Sequence, residues 1–197
     1  MKLKELVVAT GNEHKIEEIR SLLEGWGVSV RGLPPGAVLP PETGPDFFAN
    51  ALIKAEYGRE LTGLPTLADD SGLEVEALGG APGVRSARYA GPGGGDAANN
   101  AKLLQAMAGR ENRRARFRSA LVLVLEPGVT ISAQGCCPGL IGTAPRGQGG
   151  FGYDPLFYLP QLKKTMAELS QEEKNRISHR GRALAQLVEA MKKGGLL

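Results

Sequence analysis

The sequence predicts an α/β fold built on a mixed β-sheet with helices packed against it. Three observations carry this: a wholly apolar run, Leu6-Val7-Val8-Ala9, that leads into helical spacing; segments further on in which apolar and charged residues alternate; and a C-terminal stretch with a helix-capping pattern and an apolar stripe. Strands buried on both faces read as continuous apolar runs, whereas strands with one wet face alternate, so a chain holding both kinds implies a sheet of mixed type.

Taken in order, the β-branched run at Leu6–Ala9 is a strand broken by Thr10-Gly11-Asn12, after which Ile16, Ile19, Leu22 and Leu23 recur at helical intervals. Gly25 and Gly27 end that helix, Val28 to Val30 suggests a further strand, and prolines 34, 35, 40 and 41 make a loop closed by Glu42-Thr43-Gly44. From Asp46 to about Leu61 the apolar positions fit a helix, with Asn50 and Lys54 on one side of it, where they could meet a ligand. A short apolar segment, Pro65 to Ala68, ends at Asp69-Asp70-Ser71-Gly72, and Leu73, Val75 and Ala77 then alternate with Glu74 and Glu76, so the acidic pair is expected at a junction between strands. A helix is expected over Asp96 to Met107. Strands are expected over Ala115 to Leu125 and Val129 to Gln134 around a Glu126-Pro127-Gly128 turn, and Phe151 to Phe157 is an aromatic segment approached through glycines. Ser170 and Glu173 form a capping box, Leu184, Val188 and Met191 mark a helical stripe, and Ser178 has the chemistry to cap a second helix with His179 and Arg180 in its first turn.

The 197 residues suffice for one domain, here taken as residues 1–197. The 24 basic and 21 acidic residues leave a net charge of only +3, which gives little support to a nucleic-acid partner, and none is expected; the arginines between Arg110 and Arg118 have only Phe117 for stacking and read as a solvated turn and strand face. Cys136 and Cys137 are neighbours, where a disulfide would close no loop, and an intracellular, cytoplasmic setting is expected. The apolar run near the N-terminus is shorter than the ~7–15 residues of a signal peptide core or the ~20 of a membrane span, so no membrane partner is expected.

Four strings carry candidate chemistry. Thr10-Gly11-Asn12-Glu13-His14-Lys15 places glycine at a strand-to-helix turn, where backbone amides can meet a phosphate; a capped helix start is the plainer alternative. Glu42 with Asp69-Asp70-Ser71-Gly72 offers carboxylates for a hard cation and for orienting water, against the alternative of a hydrogen-bonded turn. Gly149-Gly150-Phe151-Gly152-Tyr153-Asp154-Pro155 lets backbone and ring approach a flat base, unless the aromatics belong to the core. Glu172 to Arg180 gathers Lys174, His179 and Arg180, which also reads as an ordinary charged helix surface.

In this order, together with Asn50-Ala51 and Lys54, Gly79-Gly80-Ala81-Pro82-Gly83-Val84, Ser86-Ala87-Arg88-Tyr89 and Ser178-His179-Arg180, the strings resemble the inosine-triphosphate pyrophosphatase family, the XTP/dITP diphosphatases. The resemblance implies a long mixed sheet flanked by helices, two lobes with an active-site cleft between them, and a Mg2+-dependent homodimer that hydrolyses ITP, dITP and XTP to monophosphate and pyrophosphate before they enter DNA or RNA. Carried over by position, Asp70 is the general base and a metal ligand and Glu42 a second ligand. Thr10, Gly11, Asn12, Lys15, Lys54 and Ser71 hold the phosphates, and Phe151, Gly152, Tyr153, Asp154, Lys174, His179 and Arg180 bind the base. Cys136-Cys137-Pro138-Gly139 departs from the acidic residue that many members carry before the glycine, and that loop receives no role. A donor such as Arg180 would suit the keto oxygen of hypoxanthine or xanthine and face the amino group of adenine. A Maf-like nucleotide pyrophosphatase is the alternative enzyme, disfavoured by the Phe-Gly-Tyr-Asp and Ser-His-Arg strings, and a non-catalytic nucleotide-binding module is the alternative outside enzymes.

Overall fold

The computed structural model describes residues 2–197, with the side chains of Leu22 and Glu24 outside that description, so the place of Leu22 in the helical spacing lies outside it too. Seven strands, β1 (Glu5–Val8), β2 (Ser29–Gly32), β3 (Thr66–Val75), β4 (Arg114–Glu126), β5 (Val129–Ile141), β6 (Phe157–Leu159) and β7 (Lys164–Thr165), form one sheet in the order β2-β1-β3-β4-β5-β6-β7. β1 runs parallel to both β2 and β3, pairing Glu5 with Ser29 and Val7 with Thr66, whereas β5, β6 and β7 pair antiparallel. The sheet is therefore mixed. Five α-helices accompany it: α1 (Glu13–Leu23), α2 (Phe47–Thr62), α3 (Gly95–Ala106), α4 (Gln171–Ile177) and α5 (His179–Lys193). None of the described helices is long and apolar enough to cross a membrane.

Two expectations change, and one open alternative is decided. The segments on either side of the acidic pair are one strand: β3 runs unbroken from Thr66 to Val75, because Asp69 and Asp70 are buried with partners of opposite charge and need no turn to reach water. β5 continues past Gln134 through Cys136-Cys137-Pro138-Gly139 to Ile141. The C-terminal region holds two helices, with the Ser170–Glu173 capping box opening α4 and Ser178 closing it.

The chain divides into two compact units, residues Met1–Asp70, Ser119–Gly135 and Arg180–Leu197 in one and Ser71–Arg118 and Cys136–His179 in the other, so β3, β4 and β5 contribute to both. In the first unit the strand period of two sorts the core cleanly. Leu6, Val8, Leu67, Leu121 and Leu123 pack with Ile16, Ile19 and Leu23 of α1 and Ala183, Leu184, Leu187 and Met191 of α5. The intervening Ala9, Ala68, Val122 and Val124 pack with Ala51 and Ala55 of α2. This second layer is thin because α2 turns small residues to the sheet. A Cβ placed on Gly58 would lie 2.6 Å from Thr66 Cγ2 and 3.2 Å from the Ala9 Cβ. Gly58→Ala is therefore expected to lower stability by about 1–3 kcal/mol, the usual cost of overpacking, despite the better helix propensity of alanine; a denaturant midpoint equal to the parent's would show that α2 shifts freely.

In the second unit Leu73, Val75, Ala115 and Phe117 point into a core with Leu103, Met107, Tyr153 and Phe157. The alternate positions carry Glu74, Arg116 and Arg118, with Arg116 Nε 2.6 Å and Arg118 Nη1 3.4 Å from the Glu74 carboxylate. Arg116 and Arg118 thus form a polar face of β4, while Arg110 and Arg113 precede the strand and donate to backbone carbonyls.

Candidate active site

In the first unit the site grows out of β3. Successive residues of a strand face opposite ways, so Asp69 and Asp70, though adjacent, belong to different layers. Asp69 is fully buried on the side of α1 and α5. Its Oδ2 accepts from Arg180 Nε at 3.1 Å and Nη2 at 2.9 Å and lies 2.8 Å from Lys15 Nζ, while its Oδ1 accepts from Ser119 Oγ at 2.7 Å. Burial alone would raise this carboxyl, but Arg180 and Lys15 outweigh it and hold it well below the usual aspartate range.

Asp70 turns to α2. Lys54 Nζ bridges the acids there, donating to Glu42 Oε1 at 2.9 Å, to Asp70 Oδ1 at 3.2 Å and to the Asp69 carbonyl at 3.0 Å. Burial pushes the Asp70 carboxyl up against the pull of Lys54, and the like charge of Glu42 adds to the rise. Burial also works against the Lys54 charge, but Asp70 and Glu42 prevail and its pKa is raised. Asp70 Oδ2 is buried with no hydrogen-bond donor among the described residues. One acid is thus saturated with partners, and its neighbour has an oxygen to offer. Among the described residues no three His, Cys, Asp or Glu side chains converge as a metal cage; the acids at Lys54 come as a pair.

Glu42 reaches Lys54 from the proline-rich loop, which is tied down at two points. Asp46 caps α2 by accepting from the Ala49 amide at 2.8 Å, and the Gly44 amide donates to Asn50 Oδ1 at 2.7 Å. Only glycine fits at 44, where a Cβ would fall 2.6 Å from that of Ala49.

The Thr10–Lys15 turn is more self-contained than its sequence suggests. Asn12 caps α1 with its own side chain, Oδ1 accepting from the His14 amide at 3.0 Å and the Lys15 amide at 3.4 Å, and Thr10 Oγ1 accepts from the Asn12 amide at 3.1 Å. Gly11 is exposed with nothing within 4 Å of where a Cβ would stand, which leaves room for a ligand against the backbone. Burial lowers the Lys15 pKa despite Asp69. Lys15, expected at the phosphates, is pinned to Asp69. Ser71 follows Asp70 in β3 and is half-buried.

Arg180, expected against a base, lies in this first unit and is fully buried. Besides its two bonds to Asp69 it donates through Nη1 to Glu18 Oε2. Burial opposes its charge, but Asp69 and Glu18 more than compensate and raise its pKa. In this structure it anchors Asp69, because α5 begins at His179 and directs the next side chain inward beside α1.

The second unit brings together Phe151, Asp154 and Lys174. Lys174 Nζ lies 2.9 Å from Asp154 Oδ2 and 4.5 Å above the Phe151 ring, and Asp154 Oδ2 also accepts from the Phe151 amide at 3.1 Å. Tyr153 belongs to the core instead: it is buried, and its hydroxyl donates to the Ser86 carbonyl at 2.8 Å. His179 stacks on Phe117 with ring centroids 4.8 Å apart and an interplanar angle of 16°. Gly152 is clamped by α3, its amide donating to Asp96 Oδ2 at 2.6 Å and its carbonyl accepting from Asn100 Nδ2 at 2.7 Å.

Sequence reasoning missed Glu18, Ser119, Asp96 and Asn100, which hold the expected residues from other elements. Glu18 had a usable signal, an acid among the apolar positions of an amphipathic helix; the others had none without the strand and helix pairing.

The sequence pattern of the Ham1 family matches residues 6–190. A dITP/XTP pyrophosphatase of Desulfotalea psychrophila is 48% identical over 184 residues, which are 92% of this chain and 82% of that protein, and one of Geobacillus kaustophilus is 51% identical over 191 residues, 95% of this chain and 94% of that protein. The solved Staphylococcus aureus Ham1 protein superposes with a TM-score of 0.86 at 40% identity, covering 98% of this chain and all of that one. With a matched pattern spanning nearly its whole length and relatives at about half identity, the chain belongs to the Ham1 family.

Proposed function

We propose that this protein hydrolyses non-standard purine nucleoside triphosphates, dITP, XTP and ITP, to the monophosphate and pyrophosphate. The activity named for its relatives supplies the substrate class. One observation carries the chemistry: a buried Asp70 keeps Oδ2 without a donor among the described residues while Lys54 ties its other oxygen to Glu42.

Two carboxylates and a buried oxygen lacking a donor fit Mg2+, which takes one or two carboxylates and fills its remaining positions with water and phosphate oxygens. Glu42 and Asp70 would hold it. When bound, such a cation neutralises phosphate charge and eases deprotonation of water. Asp70 orients the attacking water and accepts its proton. Water oxygen bonds to the α-phosphorus, the bond to the bridging oxygen breaks, and pyrophosphate leaves with the electron pair. Lys54 offsets the charge gathering on that leaving group. Thr10 to Asn12, Lys15 and Ser71 are assigned to the phosphates. Phe151 offers a ring face to the base, and Lys174 a donor that suits a keto oxygen and opposes the amino group of adenine.

A single domain, a homodimer and a cytoplasmic setting complete this reading; Cys136 and Cys137 are neighbours in sequence, where a disulfide would close no loop, which fits a reducing compartment. The decisive measurement is pyrophosphate released from dITP, XTP, ITP, GTP and ATP with Mg2+. Release from the first three with ATP nearly untouched is expected. No release from any of the three would overturn the proposal, and GTP turned over as fast as ITP would remove its specificity.

A further inference from the structure

Asn50 is fully buried in the first turn and a half of α2, one turn before Lys54 and on the same side of the helix. Its Oδ1 is committed to the Gly44 amide, and since that amide can only donate, the oxygen must face the loop and the amino group must face away from it. Nδ2 is then a buried donor with no acceptor among the described residues. Leaving a buried donor unpaired costs free energy, and fastening the loop alone would need only an acceptor, which a carboxylate supplies as well. A donor also repels a cation and suits an anionic oxygen. One turn on, along the same side of α2, Lys54 donates to Glu42 and Asp70, the groups assigned above to the triphosphate and its metal.

We propose that Asn50 has a double part in the reaction: Oδ1 fixes the loop that carries Glu42, and Nδ2 donates to a phosphate oxygen of the metal-bound triphosphate tail. The proposal rests on the functional reading above, and it deepens that reading by adding a substrate contact that neither the acids nor the lysines supply.

Two variants separate the parts. Asn50→Leu is neutral and loses both bonds. Asn50→Asp keeps an acceptor for Gly44 and loses the donor. The probe is magnesium pyrophosphate, titrated calorimetrically into the full chain alongside melting curves and dITP kinetics. Both variants are expected to bind it at least tenfold more weakly and to raise KM for dITP. Asn50→Asp adds a carboxyl at a fully buried position and is expected to melt below the parent, so binding is compared at a temperature where both variants remain folded. The leucine variant adds no charge and the aspartate variant keeps the acceptor for Gly44, so losses of comparable size in the two point to the donor that both lack. Parent affinity in either variant overturns the contact, as does failure of the parent protein to bind the probe. A parent that binds magnesium pyrophosphate but leaves dITP intact would sink the functional reading while leaving the Asn50 comparison standing on its binding constants.

Discussion

Asp70→Asn is expected to lower kcat for dITP by about 10²–10⁴-fold, the range in which a general base contributes, while the chain stays folded and still binds nucleotide. The substitution keeps the shape of the side chain and an acceptor for Lys54, which retains Glu42 at 2.9 Å and the Asp69 carbonyl at 3.0 Å. What it removes is a basic oxygen at Oδ2. The measurement is single-turnover hydrolysis at saturating Mg2+ with a parallel nucleotide titration; activity within a factor of three of the parent would take the proton-accepting role away from Asp70.

The neighbouring substitution should behave in the opposite way. Asp69→Asn is expected to destabilise the fold by about 3–5 kcal/mol, the cost of stranding buried charge, because Arg180 and Lys15 both rest on that carboxylate. The pH dependence follows from its lowered pKa. In the unfolded chain the carboxyl takes up a proton below about pH 4. In the folded chain it stays ionised well below that, so the unfolded state binds the extra proton and stability falls with falling pH. The contribution is complete above the unfolded value and is lost as pH drops toward the folded one. The gap between parent and variant denaturation midpoints should therefore be constant from pH 6 to 8 and narrow below about pH 4. A gap independent of pH down to acid unfolding would show that the pair does not act through charge.

The two variants separate what the sequence presents as a doublet. Asp-Asp-Ser-Gly reads as a turn, and nothing in the string tells which acid is which. The period-two sorting of Leu67, Ala68, Asp69 and Asp70 supplies the distinction, and it becomes legible only when β3 is known to be one strand. The opening strand, turn and helix, α2 with its Asn50–Lys54 face and the Ser170 capping box were readable, because local spacing and capping chemistry depend on neighbours in sequence. The partners of Asp69 and Gly152 were not, since Glu18, Ser119, Asp96 and Asn100 reach them from other elements. Tyr153 and Arg180 show the reverse case: their positions in the strings suggest exposure to a ligand, and burial on the Ser86 carbonyl and on Asp69 uses them instead.

The placement of adjacent acids on opposite faces of β3 also bears on how this gene can vary. Substitutions along the strand alter one contact at a time. Removal or insertion of a single codon between Val8's partner Leu67 and Asp70 shifts the phase of everything beyond it, and the acid meant for Lys54 turns toward Arg180. Such frame-preserving length changes strike folding and turnover together. Descendants of this gene are free to change letters in β3, but they must keep its count.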